Sequence, residues 1–256
     1  MALVTTHLDD RGVFTITLSD PDNKNALSRA LIAELVDAMD QVDSDPGVRV
    51  AVLTNSGGVF CAGADLNERV SGGAPAIDPL ALFRRILDSP KPWVGRIAGH
   101  AVAGGTGLAA ALDISVADAE AKFGFTEVRI GVAPAIISVI CLPKMRRGEA
   151  MQAFLRGRRF DGAEAARLGL ITRAVATDEL DAEVDAIVDD LLEGGPNALA
   201  AAKDIVHRVP AMDPDDAFPW AAARSAELFA SDEAAEGMAA YLDRRRPDWA
   251  PSPDHS

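Results

Sequence analysis

The feature that most constrains this chain is the run Gly104-Gly105-Thr106-Gly107, which leads into the alanine-rich segment Leu108-Ala109-Ala110-Ala111. That segment reads as a buried helix. Glycines at its entrance let backbone amides approach an anion closely, and a helix amino terminus favours negative charge. The same description fits an oxyanion hole and a phosphate cradle, so the rest of the chain must decide between them. Short β-like runs follow, and then Glu127, on a loop bounded by Gly124 and Gly131.

Upstream, residues 12–18 alternate as a strand that the cluster Ser19-Asp20-Pro21-Asp22-Asn23 stops. Ser28 caps the predicted next helix, whose apolar stripe is Leu31, Ile32, Leu35, Met39 and Val42. Residues 48–54 form a valine-rich extended run, which passes into the glycine-bearing loop around Cys61-Ala62-Gly63-Ala64-Asp65-Leu66. This loop repeats the logic of the central stretch: free backbone amides at the end of a buried strand. Residues 70–79 carry no periodicity and read as a surface insert. Residues 80–87 read as a helix, and 93–97 as a buried strand leading to the central glycines. Strand, turn and helix in repetition predict an α/β or α+β core.

Beyond Pro134, residues 135–142 predict a buried helix, and Lys144, Arg146 and Arg147 form a basic cluster. That cluster is either a solvated helix end or a contact for a ligand phosphate. Asp161 and Glu164 fit a capping box for a helix over 163–168, with Gly169 as its C-cap and a strand starting at Leu170-Ile171. Four helices are then predicted, over 178–192, 197–209, 218–229 and 231–242.

Composition excludes several classes of function. Acidic residues outnumber basic ones by 39 to 25 for a net charge of −14, which argues against nucleic acid or a bilayer surface as partner. No apolar run approaches a membrane span, no secretory leader opens the chain, and a cytoplasmic protein is expected. Cys61 and Cys141 make no ligand cluster, and HExxH, CxxC and GxxxxGK[ST] motifs are absent, so no metal site is expected. Both cysteines read as small apolar fillers, His100 as structural, and Trp220 and Trp249 as core or interface anchors.

The Gly104 run lacks the lysine of a phosphate loop. Two amide loops, at Ala64 and Gly104, suggest instead a pair of N–H donors on one carbonyl oxygen. Such a pair polarises a thioester and holds the enolate that forms, each donor being worth about 3 kcal/mol. A carboxylate beside the thioester would move the proton. Glu127, flanked by Phe123, Phe125, Val128 and Ile130, is the candidate, its apolar neighbours raising its pKa. The plainer reading has Glu127 capping its loop or pairing with Arg129, the glycines merely packing helices, and Asp65 capping a helix.

The chain resembles the enoyl-CoA hydratase/isomerase, or crotonase, superfamily, through Asn25-Ala26-Leu27 and the segments 60–66, 98–113, 123–134, 160–171 and 236–249. The resemblance implies an α/β (α+β) spiral of repeated ββα units over residues 1–195, holding an acyl-CoA site. It implies a C-terminal helical oligomerisation region over 196–256, with a homotrimer or dimer of trimers as the assembly. It further implies that Ala64 and Gly104 supply the oxyanion-hole amides, and that Lys24, Ala26, Ala62, Asp65 and Leu66 form the CoA-binding wall. Acyl-CoA is then the substrate, and no cofactor is expected.

One departure stands out. Hydratases of this family commonly use two glutamates, and the earlier position is Gly107 here. Three readings follow: an enoyl-CoA hydratase in which Glu127 alone activates water; a Δ3-Δ2-enoyl-CoA isomerase in which it shuttles a proton; and an acyl-CoA-binding protein without activity.

Overall fold

Branched and aromatic residues dominate the extended segments, and the chain pairs them into two sheets. In the computed structural model, which describes residues 2–71 and 79–251, β1 (Val4–Leu8) and β2 (Val13–Leu18) form an antiparallel pair. Helix α1 (Arg29–Ser44) crosses to β3 (Val50–Asn55), which runs parallel to β2 in a register from Val13↔Val50 to Leu18↔Asn55. Three repeats now place one strand in each sheet. They pair β3 with β4 (Val59–Cys61), β5 (Trp93–Ile97) with β6 (His100–Val102), and β7 (Ile114–Asp118) with β8 (Lys122–Gly124). Short helices α2 (Leu66–Val70) and α3 (Pro79–Asp88) lie between β4 and β5, and α4 (Gly104–Ala111) lies between β6 and β7. Helices α5 (Ala135–Cys141) and α6 (Arg147–Arg156) follow β8, before β9 (Phe160–Asp161), α7 (Gly162–Arg167) and β10 (Arg173–Val175). The chain then continues as α8 (Leu180–Glu193), α9 (Pro196–Arg208), α10 (Pro214–Phe229) and α11 (Asp232–Asp243).

The larger sheet has the order β1-β2-β3-β5-β7-β10, parallel except for β1, and the smaller has the order β4-β6-β8-β9. These repeated ββα units with a helical C-terminal part are the predicted architecture. Strand β3 is buried along its whole length. Ala51 and Leu53 face the main core with Leu31, Leu35 and Met39 of α1, whereas Val50 and Val52 pack with Val13, Val94 and Val116 against Leu180, Val184 and Val188 of α8. The buried Thr54 and Asn55 at its end find hydrogen-bond partners, and residues 50–53, covered on both faces, read as a valine-rich run rather than an alternation. Each such side chain, fully buried, stabilises by about 1.5–3 kcal/mol.

Local signals were largely reliable. Ser28 accepts from the Leu31 amide at 3.2 Å, and all five stripe residues of α1 are buried. Asp161 accepts from the Glu164 amide at 2.9 Å, but Glu164 pairs with Arg167 at 2.6 Å instead of completing the capping box. Gly169 has the left-handed φ of +81° that ends α7. Several elements differ from expectation, among them α6, for which no helix is predicted over 147–156. Strand β1 went unforeseen: four of its five residues are exposed, so it carries no buried face to read. The strand expected at Leu170-Ile171 lies at Arg173–Val175, because both residues are drawn into the main core as a turn before β10. Helix α10 starts at Pro214 rather than 218 and absorbs Pro219, whose missing N–H costs one helical bond early in the helix. Most of the insert expected over 70–79 lies outside the described residues.

Candidate active site

The smaller sheet ends where two loops meet. After β4, Gly63 takes φ +84°, and an added Cβ there would meet the Gly104 amide nitrogen at 2.8 Å, so only glycine lets the two loops approach. After β6, Ala103 takes φ 51° and ψ −124° as it turns the chain into α4. A non-glycine residue there stores roughly 1–3 kcal/mol of strain. That turn makes Gly104 the first residue of α4, with its amide free of the helix ladder. Among the described residues neither the Ala64 nor the Gly104 amide has an acceptor. Leu27 secures the first loop by donating its amide to the Gly63 carbonyl at 2.7 Å. Ala64 and Gly104 both line a cavity of about 640 Å³.

Glu127 lines the same cavity, on a 3-10 turn (Thr126–Ile130) after β8. Two anchors hold this turn. Phe125 stacks on Phe154 of α6 at 4.1 Å and lies 6.3 Å from Phe160, and Arg129 donates to the carbonyls of Gly157 at 2.7 Å and Arg156 at 3.2 Å. Arg129 is thus spent on α6 and does not pair with Glu127. The Oε2 atom of Glu127 is buried without a hydrogen-bond partner, and burial pushes its carboxyl above the ordinary glutamate range. The apolar surroundings differ in part from those expected: Phe123 and Phe125 are buried, but Val128 turns toward Gly157 and Ile130 is largely exposed on the cavity rim.

Gly107 is buried within α4, facing Ile137 of α5. An added Cβ would meet Ile137 Cγ2 at 2.2 Å and its Cβ at 2.7 Å. The space a side chain would need at position 107 is therefore filled by isoleucine, which itself lines the cavity. The remaining walls include Leu27, Ile32, Phe83, Val132 and Ile136.

Of the other candidates, Ala62, Asp65 and Leu66 line the cavity. Lys24, exposed, and Ala26, buried, do not line it, although the Lys24 carbonyl accepts from the Ala62 amide at 3.1 Å and so braces that wall. Asp65 caps α2 through the amides of Asn67 and Glu68, and a hydrogen bond from Asn23 at 2.9 Å, aided by those amides, holds its pKa down. His100 Nδ1 accepts from the Lys122 amide at 3.1 Å. Burial pushes both cysteine thiols up to about 12, so neither is available as a thiolate. The basic cluster disperses: Lys144 turns its ammonium under α4 to the Ala110 carbonyl, and Arg146 pairs with Glu149 at 2.7 Å. Trp249 donates to the Glu193 carbonyl at 3.0 Å, and Arg208 lies 5.3 Å over the Trp220 ring. Among the cavity residues that escaped sequence reasoning are Arg29 and Arg69, because a single arginine on a helix looks like any solvated charge.

Among the described residues, no group of His, Cys, Asp and Glu could hold a metal ion, and no helix is long and apolar enough to cross a membrane. A family model described as enoyl-CoA hydratase/isomerase matches residues 9–252. A Thermus thermophilus protein provisionally named enoyl-CoA hydratase is 37% identical over 243 residues, 92% of this chain and 96% of the relative. An enoyl-CoA hydratase of Mycobacterium tuberculosis is 32% identical over 246 residues, 91% of each chain. The crystal structure of an enoyl-CoA hydratase from Mycobacterium smegmatis superposes with a TM-score of 0.89 at 31% identity, covering 97% of this chain and 99% of the other.

Proposed function

Since the chain belongs to the enoyl-CoA hydratase/isomerase family, we propose that it is an enoyl-CoA hydratase, adding water across the 2,3 double bond of a 2-enoyl-CoA thioester. One observation carries the reading: a buried carboxylate oxygen without a partner, on Glu127, lines the same cavity as two backbone amides without acceptors. In this scheme the thioester oxygen accepts from the amides of Ala64 and Gly104, which draws electron density from C3. Glu127 takes a proton from water as the hydroxyl adds to C3. The enolate is held by the two amides, and the proton borne by Glu127 passes to C2. Water is consumed whole, and the glutamate returns to its starting state. Its raised pKa suits a group that must both accept and return a proton. Ala62, Asp65 and Leu66 along the cavity, with Lys24 and Ala26 behind them, form the CoA-binding wall.

A second reading rests on the packing of Gly107 against Ile137, which leaves no carboxylate at position 107 to work beside Glu127. A single carboxylate also suffices to move a proton between C2 and C4, the chemistry of an isomerase. Purified protein given crotonyl-CoA and, separately, a 3-enoyl-CoA separates these readings by the loss or gain of the conjugated thioester absorbance. Hydration without double-bond migration is expected; migration alone would replace the hydratase with the isomerase. Binding of acyl-CoA with no turnover of either would leave a binding protein.

The assembly we propose is a homotrimer or a dimer of trimers, supported by large apolar side chains left exposed on the C-terminal helices: Phe218 at 79%, Tyr241 at 84% and Leu242 at 78%. Free, buried cysteines agree with a cytoplasmic setting.

A further inference from the structure

The side chain at position 106 takes no part in the chemistry above, yet it stands between the groups that carry it. Thr106 is 1% exposed in the first turn of α4, between Gly105 and Gly107. A threonine in a helix commonly turns its hydroxyl back to a carbonyl three or four residues earlier. Thr106 reaches outside its helix instead. Its Oγ1 donates to the Ala101 carbonyl of β6 at 2.8 Å and accepts from the Gly124 amide of β8 at 3.2 Å, with the Gly124 carbonyl also 3.3 Å away. One oxygen atom thus ties α4 to two parallel strands at the point where both end, in register at Val102↔Gly124.

Each strand end leads to one half of the site. β6 passes through Ala103 to the Gly104 amide, and β8 passes through the buried Phe125 to Glu127. The main chain of Thr106 acts on the first half: its amide donates to the Ala103 carbonyl at 2.9 Å, as does that of Gly107 at 3.3 Å. In a trans peptide the N–H points away from the C=O, so a carbonyl of Ala103 held inside the helix aims the Gly104 N–H out of it. The strained Ala103, whose own amide donates to the Gly124 carbonyl at 2.8 Å, keeps its conformation only while such neighbours over-determine it.

We propose that Thr106 is a positioning residue, whose hydroxyl holds the ends of β6 and β8 at the spacing where the Gly104 amide and the Glu127 carboxylate address one thioester. The proposal rests on the hydratase reading for the roles of those two groups. The carbonyl oxygen must meet its donor while the reacting carbons lie beside the carboxylate, so two groups carried by different strands have to be kept in step. The wall residues Ala62, Asp65 and Leu66 belong to the other loop, after β4. Loosening the junction at Thr106 therefore acts on turnover and spares binding.

Steady-state kinetics on crotonyl-CoA compare wild type with Thr106→Val, which loses the hydroxyl, and Thr106→Ser, which keeps it. Thr106→Val is expected to lower kcat by about 10–100-fold with KM changed by less than about threefold, and Thr106→Ser to retain most of kcat. Calorimetry with butyryl-CoA should give one affinity and stoichiometry for all three proteins. A Thr106→Val protein with wild-type kcat would overturn the proposal. So would a loss confined to KM or to the number of binding sites, or a Thr106→Ser variant as slow as Thr106→Val, since packing and not the hydroxyl would then matter. If Thr106→Val does not fold, Thr106→Ala is read in the same way; if neither folds, the hydroxyl serves stability alone and the proposal falls. If wild type does not hydrate crotonyl-CoA, the hydratase reading fails separately. Bound cinnamoyl-CoA, whose absorbance moves to longer wavelength as its carbonyl accepts hydrogen bonds, then decides whether Thr106 places the Gly104 amide. A shift in wild type that Thr106→Val loses and Thr106→Ser keeps would sustain the role, and an equal shift in Thr106→Val, or none in wild type, would end it.

Discussion

At the scale of single residues, Glu127 and Gly107 carry the sharpest consequences. Replacing Glu127 with glutamine removes the proton carrier and should lower kcat by about 10²–10⁴-fold while saturated acyl-CoA still binds, measured by steady-state kinetics and calorimetry. Because Glu127 must be ionised to take a proton from water, and burial raises its pKa, the acid limb of kcat/KM should lie above the ordinary glutamate range. The linkage has a definite sign. With the folded pKa above the unfolded one, the folded state binds more protons in between, so the contribution of Glu127 to stability is full at low pH and is lost as pH rises through the folded value. The Glu127→Gln variant should therefore melt at least as high as wild type at neutral pH, and any advantage should shrink on acidification. A lower melting temperature at pH 7 would contradict a desolvated carboxylate. Gly107→Ala places a methyl group 2.2 Å from Ile137 Cγ2 and should destabilise by about 1–3 kcal/mol in urea unfolding. In an Ile137→Ala background, itself less stable by about 2–5 kcal/mol, Gly107→Ala should cost much less than in wild type, a coupling that a double-mutant cycle reads directly.

Among elements, two attachments matter most. The turn bearing Glu127 has few contacts of its own and is placed by α6, through Phe154 and the carbonyls that Arg129 caps. Helix α9 is docked by Lys203, whose ammonium lies 2.8 Å from Asp113 and donates to the carbonyls of Ile86 at 2.7 Å and Lys91 at 3.2 Å. The side chains are only 10% and 16% exposed, and Asp113 also accepts from the Trp93 amide at 2.8 Å. Lys203→Met leaves that carboxylate buried without its cation and should cost about 3–5 kcal/mol by urea unfolding. The further change Asp113→Asn should return a good part of it. If Lys203→Met alone costs under about 1 kcal/mol, the pair behaves as a surface ion pair and does not dock the helix.

For the whole molecule, the outer face of the C-terminal helices decides behaviour in solution. Phe218, Phe229, Tyr241 and Leu242 are exposed on α10 and α11, beyond what a monomer of this charge needs. Light scattering should give three or six times the 26.9 kDa chain mass, and Leu242→Glu with Tyr241→Glu should shift the population to smaller species. A monomer at micromolar concentration would remove the proposed assembly. Association of this kind would add a stability term that grows with protein concentration.

What the sequence determined alone was whatever depends on neighbours along the chain. The stripe of α1, the Ser28 cap, the valine run of β3 and the glycine entrance to α4 were all legible, because periodicity and capping act within a few residues. Glu127 was singled out by its flanking residues, although its burial comes from the fold rather than from Val128 and Ile130. β1, with one buried residue, and the course of Pro219 inside α10 were not legible, because tertiary pairing and packing override weak local preference. The structure alone decided that Ile137 fills the space beside Gly107, that Ala103 bears strain, and that Arg69 lines the cavity while Arg29 is matched by Glu68. Each depends on residues distant in sequence meeting in space, and one-dimensional pattern carries no record of such meetings.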